Sequence, residues 1–148
     1  DCPVDEAAPY PLGQFSFGYG GSSCMKYPAK VQKALNDWWR QHGHDMHRPD
    51  WGVVKLSAGN TYEHNMRVAQ ICIHLLHSGI PFATEAILRY DVRPDIICPT
   101  HVCPIIEVLW SESKEDFVEK KAGKYPDTLN GKWILNNAAD EFDPLMLE

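Results

Sequence analysis

Arg93-Pro94-Asp95-Ile96-Ile97, followed by Ile105-Ile106-Glu107-Val108-Leu109, are the two stretches whose reading decides the fold. Each is a short apolar run rich in β-branched residues, the pattern of a buried strand. Each also carries one carboxylate. Side chains alternate along a strand, so Ile105, Glu107 and Leu109 share one face while Ile106, Val108 and Trp110 share the other. A charge in the middle of an apolar strand is costly unless a cation or a proton neutralises it. Asp95, with Ile96-Ile97 directly after it, faces the same cost. Two such acids on neighbouring strands can share a hard cation such as Mg²⁺ or Mn²⁺, which takes one or two carboxylates together with substrate phosphates.

The flanking sequence places these strands in a mixed α/β order. Upstream, Asn60 or Thr61 can cap a helix from Tyr62 to His77, with Met66, Ala69, Ile73 and Leu76 as its buried stripe. Ser78-Gly79 closes that helix, Gly79 serving as a left-handed stop. The run from Ile80 to Leu88 reads as a strand, and residues 92–98 and 104–110 as two more. An earlier helix, Pro28 to Gln41, presents Val31, Leu35, Trp38 and Trp39 at helical spacing and ends near Gly43. Downstream, a third helix runs from Ser113 to Lys124 until Tyr125-Pro126 stops it, and Lys132 to Asn136 forms a last strand. Residues 1–27, rich in glycine, proline, serine and aromatics, read as an irregular arm. The order is helix, helix, strand, strand, strand, helix, strand. It predicts a mixed central β-sheet flanked by α-helices, in a single domain spanning residues 1–148.

Composition agrees with one globular unit. The chain has 148 residues, and 44% hydrophobic content is too high for a disordered chain. No apolar run approaches the ~20 residues of a membrane helix, so no membrane partner is expected. The net charge of -6 argues against a surface coated for nonspecific nucleic-acid binding, although acidic metal ligands themselves lower the net charge. The five cysteines are odd in number and unpatterned, which predicts free thiols and a reducing, cytoplasmic (intracellular) compartment.

Hydrolysis at a carboxylate-held metal is helped by a nearby lysine that orients water and offsets developing charge. Leu109 stands two positions after Glu107, where such a lysine is expected. The following helix supplies alternatives: Phe117, Lys120, Lys121 and Lys124 are helical neighbours, and with Phe117 buried toward the sheet, Lys121 or Lys120 can extend over its edge. Lys114 and Lys124 on this helix, with Arg89 and Arg93 near Asp95, form a local basic rim suited to phosphate contacts. Each of these lysines reads equally as part of a solvated helix face.

Residues 59–126 resemble the PD-(D/E)xK nuclease superfamily, the restriction-endonuclease-like fold, and are most similar to archaeal Holliday-junction resolvases. The resemblance matches Glu63 to the helix-opening glutamate, Gly79 to the helix-ending glycine, Pro94-Asp95 to the Pro-Asp and Glu107 to the strand glutamate. Lys121 and Tyr125, four apart, are similar to a branch whose lysine has moved onto the next helix. The resemblance implies a Mg²⁺- or Mn²⁺-dependent endonuclease acting on nucleic acid, chiefly DNA, as a homodimer. Asp95 and Glu107 would be the metal ligands, Lys121 or Lys120 the lysine that assists the attacking water, and Glu63 and Glu85 supporting acids. Glu63 reads equally as a carboxylate stabilising a helix dipole, and Glu85 as a surface strand residue. Two rivals stand beside this reading: an inactive nucleic-acid or protein binding module on the same fold, and a small interaction protein with zinc held by Cys98, His101 and Cys103.

Overall fold

A computed structural model describes residues 27–148. The arm expected over residues 1–27 lies, apart from Tyr27, outside the described residues. Three helices and four strands follow in the order α1 (Ala29–His42), α2 (Tyr62–His77), β1 (Ala83–Thr84), β2 (Ile96–Ile97), β3 (Ile105–Leu109), α3 (Lys114–Lys120) and β4 (Trp133–Asn137). The sheet runs β1-β2-β3-β4. Its first three strands are antiparallel neighbours, and β4 returns parallel to β3 after the α3 crossover. The chain is therefore mixed α/β, as the order of elements predicts.

Alternation along β2 and β3 splits the core in two. Ile97, Ile105 and Leu109 pack with Val31 and Leu35 of α1 and Phe117 of α3. Ile96, Ile106 and Val108 pack with Val68, Ile71, Cys72 and Leu75 of α2. Helices thus cover both faces, which is why β3 is buried along its whole length. Phe117 alone, fully buried, contributes roughly 1.5–3 kcal/mol by leaving water.

The helices end where side chains can satisfy their free backbone groups. The Thr61 hydroxyl accepts from the His64 N–H and caps α2. Ser113 and Asp116 form a reciprocal capping box on α3. Pro28 sits at the cap of α1 rather than inside its first turn. Gly79 is left-handed, with φ of 70°, and stops α2 as expected. At Gly43 the reason for glycine is space: a Cβ would lie 2.2 Å from the Trp39 ring.

Several expectations need correction. The strand foreseen from Ile80 to Leu88 is reduced to Ala83–Thr84, because Glu85 adopts a left-handed backbone (φ 52°) that ends the ladder. Residues 92–98 pair only at Ile96–Ile97. The third helix ends at Lys120 and continues as a 3-10 turn, Ala122–Lys124. The buried stripe of α2 is Arg67, Val68, Ile71, Cys72 and Leu75; Met66 is 44% exposed and Ile73 55% exposed. The free thiols among the described residues are Cys72 and Cys98, whereas Cys103 is disulfide-bonded, against the expectation of free cysteines throughout. Among the described residues no helix is long and apolar enough to cross a membrane.

Candidate functional site

The site begins just before β2, at Asp95. Continuing the Ile96–Ile106 register would set Pro94 opposite Val108. Instead Asp95 turns its carboxylate into the ladder, and its Oδ2 accepts the Val108 N–H at 2.8 Å. That bond ties Asp95 to the residue next to Glu107. The other oxygen, Oδ1, lies 3.3 Å from His64 Nε2.

Glu107 sits at the centre of β3, 2% exposed, on the face it shares with Ile105 and Leu109. Lys121 Nζ donates to its Oε2 at 2.7 Å, and the Tyr125 hydroxyl donates to its Oε1. Lys121 caps the end of α3, and Tyr125 caps the 3-10 turn that follows it. Phe117 anchors that helix in the core, and the Lys121 N–H bonds back to the Phe117 carbonyl, so the lysine leaves the last turn toward the sheet. Tyr125 is held against Trp133, whose ring also meets Phe117 edge-on at 5.5 Å. Leu109, in the place expected of a lysine, is a core residue.

The electrostatics follow from burial. Desolvation, then repulsion by Asp95, raises the Glu107 carboxyl to about 7, although Lys121 and Tyr125 pull the other way. Burial also pushes Asp95 upward, but hydrogen bonds from His64 and Val108 and the charges of His64 and Lys121 win, and Asp95 lies below the ordinary carboxylate range. The bond to Asp95 raises His64 against its own desolvation. The Tyr125 phenol is raised by burial and by Glu107. Two acids are pushed apart, one ionised and one poised near neutrality.

The site therefore brings together Asp95, Glu107 and Lys121. Lys120 stays outside it: the residue is exposed, and its side chain makes no hydrogen bond or salt bridge among the described residues. Glu63 is exposed in the first turn of α2, and the neighbouring His64 is the residue that reaches Asp95. Glu85 lines a cavity of about 430 Å³ with Lys55, His64, Arg93 and Asp95. Arg89 donates to the carbonyls of Arg40 (2.7 Å) and Gly43 (3.4 Å), fastening its loop to α1. Lys114 and Lys124 are exposed.

Sequence reasoning missed His64. Its signal was spacing, since residues 64, 68 and 71 share one face of a helix. The Nδ1 of His64 is buried without a hydrogen-bond partner among the described residues.

The zinc reading loses its ligands. Cys98 is buried, with its thiol pKa raised by desolvation, and Cys103 is in a disulfide. His101 Nδ1 accepts from the Cys103 N–H at 3.0 Å while its Nε2 meets the Leu147 carbonyl at 3.2 Å. Among the described residues no three of His, Cys, Asp or Glu form a metal-binding group.

Comparison with known proteins returns no match. No family model, curated protein or solved structure is similar to the chain.

Proposed function

We propose that this chain is a metal-dependent nuclease that hydrolyses phosphodiester bonds, acting as an endodeoxyribonuclease on a restriction-endonuclease-like fold. One observation carries the reading: Lys121 Nζ lies 2.7 Å from Glu107 Oε2, on the strand whose backbone also holds Asp95. An acid just before one strand and another within its neighbour, with a lysine at the end of the crossover helix, is the arrangement such chemistry needs. The order α2-β1-β2-β3-α3-β4, antiparallel until the last strand, supports the fold.

The donor set fits Mg²⁺ or Mn²⁺. Asp95 and Glu107 offer hard oxygen ligands, and two carboxylates suffice when phosphate oxygens and water complete the shell. Burial first, and then the charge of Asp95, keeps Glu107 raised even with Lys121 and Tyr125 in place, and a bound cation would offset both. When bound, the ion polarises the phosphoryl group and activates water. The protein's part is positional. Val108 fixes Asp95, Tyr125 holds Glu107 from the side opposite Lys121, and Lys121 supplies a cation able to orient water and offset charge at phosphorus. Arg93 and the exposed lysines of α3 contact phosphates along the strand.

The test is cleavage of plasmid, branched and single-stranded DNA with Mg²⁺ or Mn²⁺. Cleavage should fall at least ~100-fold in Asp95→Ala and Glu107→Ala, and in Lys121→Ala but not Lys120→Ala. Wild-type protein that cuts no nucleic acid of any shape sinks the proposal. The second reading is an inactive binding module, favoured by one observation: Lys121 and Tyr125 already take both Glu107 oxygens. It expects DNA binding, insensitive to Asp95→Ala, without cleavage.

A further inference from the structure

The cavity beside Asp95 lies outside the Glu107–Lys121–Tyr125 cluster, and its walls are set before any ligand arrives. Buried Thr84 accepts the Lys55 N–H at 2.7 Å and donates to the Val53 carbonyl at 3.0 Å, so the segment carrying Lys55 is clipped to β1. Two residues on, the Ser57 carbonyl accepts from Asn65 Nδ2 at 2.9 Å and also from the Asn60 N–H. Glu85 follows Thr84 in a left-handed conformation that non-glycine residues seldom adopt, which fixes where its carboxylate leaves the backbone. Val68, Ile87 and Pro94 add apolar wall.

The charges on this wall are of two kinds. Arg93 is exposed and has no salt bridge among the described residues. Lys55 shares its charge with Asp50, 2.5 Å away, so Arg93 is the stronger attraction for an anion. Glu85 repels a simple anion but accepts hydrogen bonds from amino or hydroxyl groups. A ligand that satisfies all three features has an anionic end, an apolar plane and hydrogen-bond donors. A volume of about 430 Å³ accommodates one such unit and excludes a duplex.

We infer that this cavity is a subsite for a single nucleotide of the strand being cut, with its phosphate on Arg93 and Lys55 and its base amino group on Glu85. The identity of the ligand rests on the hydrolase reading above. Asn60 and Asn65 offer amides, able to donate and accept, at the cavity lip. The subsite would hold the strand next to Asp95, the acid two residues from Arg93. A nucleotide drawn out of its stack would occupy it most readily where the DNA is already single-stranded or branched.

The experiment is an amide-resolved NMR titration of the full chain, in EDTA, with dCMP and separately with inorganic phosphate. Saturable shifts are expected at Asn60, His64, Asn65 and Arg93 with dCMP, and binding of phosphate about tenfold weaker or less. Arg93→Ala should weaken dCMP by about tenfold. Glu85→Gln should strengthen phosphate while weakening dCMP, narrowing the difference between them. Equal binding of dCMP and phosphate, dCMP affinity untouched by Arg93→Ala, or shifts confined to other surfaces would overturn the subsite. The titration contains no metal and reads no cleavage, so that failure would leave hydrolysis at Asp95 and Glu107 standing. Binding of dCMP by a chain that cuts no DNA would instead count against the hydrolase alone.

Discussion

Glu107 has the largest consequence of any single residue. Folding raises its carboxyl from 4.5 to about 7, so the native state holds this proton more tightly than the unfolded chain. The contribution is fully present below pH ~4.5 and is lost as pH rises through ~7, an effect of about 3 kcal/mol for a group this buried. His64 acts in the same sense, since its raised value gives stability that disappears as pH climbs above its ordinary 6.5. Asp95 acts oppositely: its depressed value gives stability present above 3.8 and lost as pH falls through the lowered value. The site therefore favours the folded state most on the mildly acidic side. Urea melts at pH 5 and pH 8 should show wild-type protein losing stability relative to Glu107→Gln as pH rises; a difference that does not change with pH would refute the assignment. Mg²⁺ or Mn²⁺ should raise the melting temperature more at pH 8 than at pH 5, because the cation competes with the proton on Glu107, and Asp95→Ala should abolish the gain. Tyr125→Phe removes a donor to Glu107 Oε1 and should cost about 1–3 kcal/mol in a denaturant melt.

At the scale of elements, α2 separates what sequence could say from what it could not. Its ends were legible, because Thr61 and Gly79 act through local backbone chemistry. Its inward face was not. Apolar residues lie all around α2, so Met66–Ile73 and Val68–Ile71 both satisfy helical spacing, and only the sheet decides between them. That choice also hid His64, which lies on the true face. The acids just before β2 and within β3 were legible because a charge beside or inside an apolar run is conspicuous, and Lys121 because it follows Phe117 by one helical turn. The run from Ile80 to Leu88 was misread since hydrophobicity reports burial and not pairing; Phe82 and Ala86 are buried outside any ladder, and Leu88 makes only an isolated bridge to Gly43. A mutational pair checks the α2 face. Ile71→Ala should cost about 2–5 kcal/mol, and Ile73→Ala less than about 0.5 kcal/mol. Comparable losses would restore the Met66–Ile73 face.

Across the whole molecule, the acid pair depends on two packed layers being held on one sheet, and the α2 layer is fastened by a buried cation. Arg67 is 6% exposed. Its guanidinium donates to Asn136 Oδ1 at 2.6 Å and to the carbonyls of Asn137 (3.0 Å) and Asp140. Phe142 lies beneath it, 5.5 Å from the ring centre. One side chain thus joins the start of α2 to β4 and to the segment after it, while His64 on the same helix reaches Asp95. Truncating Arg67 removes donors from buried acceptors that water cannot easily replace, a loss of about 3–5 kcal/mol where several charge-assisted bonds go together. Its effect should spread along those bonds. In Arg67→Met, hydrogen exchange should accelerate at Asn136 to Phe142 and at the first turns of α2, while α3, whose contacts lie on the other face, keeps wild-type protection. Because Asp95 leans on α2 through His64 and Glu107 leans on α3 through Lys121, this variant should loosen the Asp95 half of the site alone. Uniform acceleration across both layers would show instead that the two faces of the sheet open as a single unit.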